Sequence, residues 1–134
     1  MPTLTITPVN VAIIDQNSNQ PSVQAGETIQ QGDAYYLEDG KAFVADNVNR
    51  ESAEVAGIAV TPANTDEYFL SLNSGRIKPG STSMTVGTLY YLGVEGDIIE
   101  EGDLAPSAYI TPLYRAETAS IAQIELTATG IQHP

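Results

Sequence analysis

The sequence predicts an all-β fold, a small β-barrel or sandwich built from two similar half-units with an extended N-terminal arm. Three observations carry this. Short β-branched and aromatic runs are punctuated throughout by 11 Gly and 8 Pro, the pattern of strands and tight turns. No stretch keeps a 3.6-residue apolar period long enough for a helix. The third is an internal repeat. Gly32-Asp33-Ala34-Tyr35-Tyr36-Leu37 recurs as Gly87-Thr88-Leu89-Tyr90-Tyr91-Leu92, a shift of 55 positions, and each copy runs into an acidic turn.

Residues 1–24 form the arm. Thr3-Leu4-Thr5-Ile6-Thr7 alternates apolar and β-branched polar residues, as a strand does. Pro8 interrupts it, and Val9-Asn10-Val11-Ala12-Ile13-Ile14 is a second β-prone run. The polar stretch from Asp15 to Ser22 follows and carries no core-forming residue. An apolar strand on such a tether suits pairing with a neighbour's sheet edge. Starting the domain's own sheet is an equally good use of it. Leu4, Ile6, Val9, Val11 and Ile13 are the arm's candidate interface residues.

The first half-unit covers about residues 25–80. Ala34-Tyr35-Tyr36-Leu37 is a strand, and Asp39-Gly40 marks a tight hairpin. Ala42-Phe43-Val44-Ala45 is its partner. Asp46 is placed to cap one helical turn in the polar segment that follows. Ala56, Ile58 and Val60 alternate with smaller residues, and Tyr68, Leu70 and Leu72 share a strand face. Pro79-Gly80-Ser81 closes the unit. The second half-unit, about 81–134, repeats the plan with late strands at Tyr109–Tyr114 and Ile121–Leu126 and a tail from Thr127.

With 134 residues and 42% hydrophobic content, there is enough chain for one real core. The formal net charge is −12, from 17 acidic and 5 basic residues. A nucleic-acid backbone or an anionic membrane demands Lys and Arg, so neither is an expected partner. The absence of cysteine excludes disulfides and thiolate chemistry. Met1-Pro2-Thr3 has no basic signal-peptide start, so synthesis in a host cytoplasm without the usual export route is expected.

Catalytic constellations are not evident. His133, the single histidine, sits in the tail. Paired carboxylates occur in turns at Glu38/Asp39, Glu95/Asp97 and Glu100/Glu101/Asp103, which usually means solvated turns rather than a glycosidase cleft. Calcium-loop spacing is absent, leaving incidental divalent binding at 100–103 as the metal alternative. Neither a resident metal nor a cofactor is expected. In each tyrosine pair, alternation sends one ring inward and one outward. Core packing plus an interface role is the expectation for Tyr35, Tyr36, Tyr90 and Tyr91. A stacking platform for sugars or bases is the competing use.

Ala25-Gly26-Glu27-Thr28-Ile29, both Gly-x-x-Tyr-Tyr-Leu copies, Val55-Ala56-Gly57-Ile58-Ala59 and Tyr109-Ile110-Thr111-Pro112-Leu113 together resemble the small capsid decoration (cement) proteins of tailed bacteriophages. The likeness runs from about Ala25 onward, and the arm carries no motif of it. It implies a non-enzymatic virion protein outside an assembled shell, bound to the major capsid protein, commonly as a homotrimer at capsomer junctions. The implied mechanism is interfacial: contact area bridging subunits resists the outward pressure of packaged DNA. Related sequences labelled as tail or head-fibre components imply the alternative, a virion-surface module that recognises host glycans.

Overall fold

A computed structural model of the chain describes Leu4, Ile6, Thr7, residues 11–14 and residues 21–134. Val9, and part of the run expected at residues 3–7, lie outside the described residues. The strands are β1 (Val11–Ile13), β2 (Ser22–Gln24), β3 (Ala34–Glu38), β4 (Lys41–Val44), β5 (Gly57–Ala59), β6 (Tyr68–Leu72), β7 (Arg76–Pro79), β8 (Leu89–Leu92), β9 (Ile98–Ile99), β10 (Pro112–Ala116) and β11 (Ala122–Ile124). They form two antiparallel sheets, ordered β2-β6-β5-β3-β4 and β1-β7-β11-β10-β8-β9. The fold is all-β and sandwich-like, without a closed barrel.

The two sheets share one connection order. Replacing β2 to β6 by β7 to β11 turns the first sheet into the second, with β1 added beside β7. The sequence reading ended the first half at residue 80. In the structure β7 pairs with β11 in the second sheet, with Ile77 opposite Ala122. Arg76-Ile77-Lys78-Pro79 therefore opens the second sheet as Ser22-Val23-Gln24 opens the first. The chain turns at Asn73-Ser74-Gly75, so Ile77 reaches the sheet of the following residues.

The repeated motif supplies the same turn twice. In the first, Asp33 N–H donates to Gln30 O at 3.1 Å, and Gly32 N–H donates to Ala59 O at 2.8 Å. Ala59 N–H returns a bond to Asp33 O at 2.9 Å. In the second, Thr88 donates to Thr85 O at 3.1 Å, Gly87 to Ala116 O at 2.8 Å, and Ala116 returns to Thr88 O at 2.9 Å. Gly32 has φ +91 and Gly87 φ +84. That backbone conformation is costly for any residue with a Cβ, which explains the glycine in both copies.

The larger core cluster joins the sheets. Ala34, Ile58 and Leu72 of the five-stranded sheet pack with Ile77, Tyr90, Leu92, Leu113, Tyr114 and Ile124 of the six-stranded one. A smaller cluster lies on the other face of the first sheet, where Tyr35, Ala42, Ala59 and Phe69 are covered by Ala25, Ile29 and Ala63. The Tyr35 and Phe69 rings meet edge to face at 5.2 Å, a favoured aromatic geometry. Strand β5 is buried on both faces, so its short Gly57-Ile58-Ala59 run serves both clusters.

The edges of the two sheets close differently. In the first, the segment after β2 curls onto β4. Ala25 bridges Ala42 in parallel, and Gly26 N–H donates to Ala42 O at 2.7 Å. Glu27 Oε2 accepts the Val44 N–H at 2.8 Å. In the second, the arm takes this place. Leu4 N–H donates to Ile98 O on β9, and Thr7 N–H donates to Gly80 O just after β7, both at 2.8 Å. Strand β1 then pairs with β7 in the register Val11–Pro79, Ala12–Lys78, Ile13–Ile77. Of the two uses the sequence left open, the described arm residues take the second and join the chain's own sheet.

Three further expectations meet the structure, and the last two are corrected. The segment after Asp46 holds one helical-type turn bond, Ala53 N–H donating to Asn49 O at 3.1 Å, with Asp46 Oδ1 accepting the Val48 N–H at 3.0 Å; no helix continues from it, and Ser52 O accepts the Asp46 N–H. The late strand begins at Pro112, with Tyr109 held in an isolated bridge to Gln132. That bridge, together with Ile110 N–H donating to Ile131 O and His133 N–H donating to Ala108 O, straps the C-terminal residues onto the body where a tail was expected.

Gly80 has φ +101, and a Cβ there would lie 2.8 Å from Thr7 O. Gly40 has φ +79 with nothing within 4 Å. Gly40→Ala is expected to cost about 1–2 kcal/mol from backbone strain alone. Gly80→Ala is expected to cost clearly more in urea unfolding, because it also displaces the arm. Equal costs would mean that the arm does not depend on this contact.

Candidate interaction surface

The structure separates the expected interface residues into two groups. Val11, Tyr35 and Tyr90 are buried, with 6%, 2% and 2% of their surfaces exposed. They pack in the core clusters and present little surface in the described structure. Leu4, Ile6, Ile13 and Tyr36 are half-buried and pack against the larger cluster. Tyr91 is half-buried as well. The alternation read from the sequence thus holds within each pair, with the first ring inward and the second nearer the surface.

Burial has different polar consequences in the two copies. Tyr35 donates its hydroxyl to Ser71 Oγ at 2.7 Å; burial pushes its phenol up, and the Ser71 bond partly offsets this. Tyr90 Oη accepts the Thr85 N–H at 2.9 Å. The residue opposite Tyr35 is Gly57, and the one opposite Tyr90 is Tyr114. Gly57 leaves room for the Tyr35 hydroxyl, which would sit 2.8 Å from a Cβ at that position. Tyr114 fills the equivalent space with a second ring, 6.2 Å from Tyr90.

Both outward tyrosines line shallow surface grooves. Tyr36 lies with Leu37, Ala56 and the carboxylates of Glu38, Glu51 and Glu54. Its ring stacks at a tilt on Phe43 at 5.9 Å. Burial, then the carboxylates of Glu38, Glu27 and Asp46, push its phenol up, so at neutral pH it is a hydrogen-bond donor in a negative field. Tyr91 lies with Thr88, Leu89, Glu100, Glu101 and Arg115. Arg115 is held by Glu125 at 3.2 Å and by Gly87 O at 3.0 Å. Chemically, each groove offers a ring face, a phenol donor and carboxylate acceptors.

The sequence reading did not single out the exposed large apolar side chains. Tyr68 is 66% exposed and Leu70 38%, both on β6. Leu37, Val86 and Ile131 are also exposed. The shared face of Tyr68, Leu70 and Leu72 was legible, but alternation does not tell which face meets water. Leu72 is buried where β5 covers it, opposite Ile58, while Tyr68 and Leu70 face Gln24 and Ser22 on short β2.

Among the described residues, no group of three or more His, Asp or Glu side chains is arranged to hold a metal ion. Comparison of the chain with protein-family models and with curated proteins finds no match.

Asp33 is the acid whose environment changes most clearly. Burial raises its pKa above 3.8, opposed by the Gln30 N–H it accepts and assisted by nearby Glu27. A raised folded-state pKa means that charge on Asp33 opposes folding at neutral pH and that this cost is relieved as pH falls through the folded value. Asp33→Asn keeps the acceptor and removes the charge. The variant is expected to be more stable than wild type at pH 7, with the gap closing towards pH 3. Paired urea titrations at both pH values check this; a gap that stays constant would place the effect elsewhere.

Proposed function

We propose that this chain is a structural virion protein that binds the outer surface of a phage capsid and stabilises contacts between capsomers. The observation that carries the reading is the duplicated Gly-x-x-Tyr-Tyr-Leu unit within the wider sequence resemblance to capsid decoration proteins. Two features of the molecule support it. The fused sheets make a body whose edges are largely occupied by its own backbone, so binding falls to side-chain surface rather than to strand addition at the first sheet. The net charge of −12 suits an exterior position, away from packaged nucleic acid. The partner in this reading is the major capsid protein, and the assembling unit is a homotrimer.

Repetition over a symmetric shell lets modest contacts suffice, because each added copy resists separation of the same subunits. An interface of about 1,600 Å² in total is enough for affinities from micromolar to picomolar. The exposed Tyr68 and Leu70 on β6, with Leu37 on β3, are the apolar side chains offered for such contact.

The test is co-sedimentation of the purified protein with shells that lack it, followed by heating. Saturable binding that raises the shell's disruption temperature is expected, with Tyr68→Ser/Leu70→Ser weakening it at least about tenfold, the scale of one lost anchor. Failure to bind any shell would overturn the reading. The tyrosine-and-carboxylate grooves favour a second reading, a virion-surface module for host glycans. That reading requires sugar binding that Tyr36→Ala or Tyr91→Ala abolishes.

A further inference from the structure

We propose that the seam between β7 and β9 is a strand-exchange site, which accepts the arm of a second copy of this chain in place of its own. This goes beyond capsid binding and does not depend on it. The duplication provides the first argument. The first sheet closes its seam with residues that follow β2 directly, through Gly26 and Ala42. The second sheet is built on the same plan, yet its seam is filled by a strand from the far N-terminal end. That strand is an addition to the repeated unit rather than part of it.

The seam is shaped to receive it. Gly32 and Gly80 both have positive φ, and a Cβ on either would press on the Ile6 and Val11 methyl groups at 3.0 and 3.1 Å. Ile98 O and Gly80 O accept the arm's Leu4 and Thr7 N–H groups, and the edge of β7 supplies the register. In the described structure these contacts are made within one chain, and an identical arm from a second copy would meet the same groups. Within the arm, Val11 is the described residue that is fully buried, while Leu4, Ile6 and Ile13 are half-buried.

Six residues link the arm to the first sheet. Residues 15–20 read Asp-Gln-Asn-Ser-Asn-Gln, a polar run without an apolar side chain. Seven residue steps, as from position 14 to 21, span at most roughly 25 Å when extended. Identical contacts in cis and in trans leave the choice to effective concentration, which rises when copies are held side by side. Exchange of an identical element is a low-cost route to linked copies.

The chain has no cysteine, so the test is clean. Ala12 and Lys78 are exposed and directly opposed across β1 and β7. Opposed antiparallel residues lie about 4.5–5.5 Å apart, within disulfide range. Full-length Ala12→Cys and nitrogen-isotope-labelled full-length Lys78→Cys are mixed at high concentration, oxidised and read by intact mass. Ala12→Cys mixed with Glu51→Cys, a position on an exposed turn away from the seam, measures random collision. A mixed Ala12–Lys78 disulfide several-fold above that baseline is expected. A mixed product at the collision level overturns the proposal, and the double variant Ala12→Cys/Lys78→Cys would then close quantitatively within single chains.

Discussion

An unpaired sheet edge is the constraint on which this molecule turns. Backbone N–H and C=O groups need partners, and an open edge invites another chain. Sheets this short bury too little apolar surface to stand alone, so each is packed on the other and each seam is bonded by nearby backbone. The first sheet solves the problem locally, with Gly26 on Ala42 and the Glu27 carboxylate on the Val44 amide. The second borrows Leu4 and Thr7 from the arm. Every larger feature, from the placement of the arm to the strapped C-terminal residues, follows from satisfying those groups.

Duplication fixes the turn and leaves the interior free to diverge. Gly32 and Gly87 hold identical hydrogen-bond sets because only that backbone geometry returns the chain to β5 and β10. Around it, Tyr35 faces a glycine and bonds a serine, whereas Tyr90 faces another tyrosine and accepts a backbone amide. The two rings start from equivalent positions and end in different environments. The first half therefore keeps a separate small core, while the second merges its interior with the junction between the sheets.

Much of the fold was legible. The Asp39-Gly40 hairpin, the inward and outward tyrosines and the strand-rich character follow from local chemistry, since turn residues and period-two alternation act over a few positions. The boundary between the halves was not legible, because Arg76-Ile77-Lys78-Pro79 is as good an ending as it is a beginning; only its pairing with β11 decides. The candidate surface was harder still. Tyr68 and Leu70 look like core residues, yet they stay exposed opposite Gln24 and Ser22 while Leu72 is buried opposite Ile58, a tertiary fact. Conversely, Tyr35 and Tyr90 were offered as interface residues because tyrosine favours interfaces, and the self-packing of the two sheets claims them first.

An acidic body with bonded seams and outward apolar side chains is what the two packed sheets make together. That arrangement rests on the seams. The most direct measurement is amide hydrogen exchange at Gly26 and Thr7 on the full-length protein. With both seams closed as described, each amide exchanges orders of magnitude more slowly than in an unstructured peptide, at rates that follow the stability of the core. Thr7 exchanging at the free-peptide rate while Gly26 stays protected would contradict the arm's place in the second sheet.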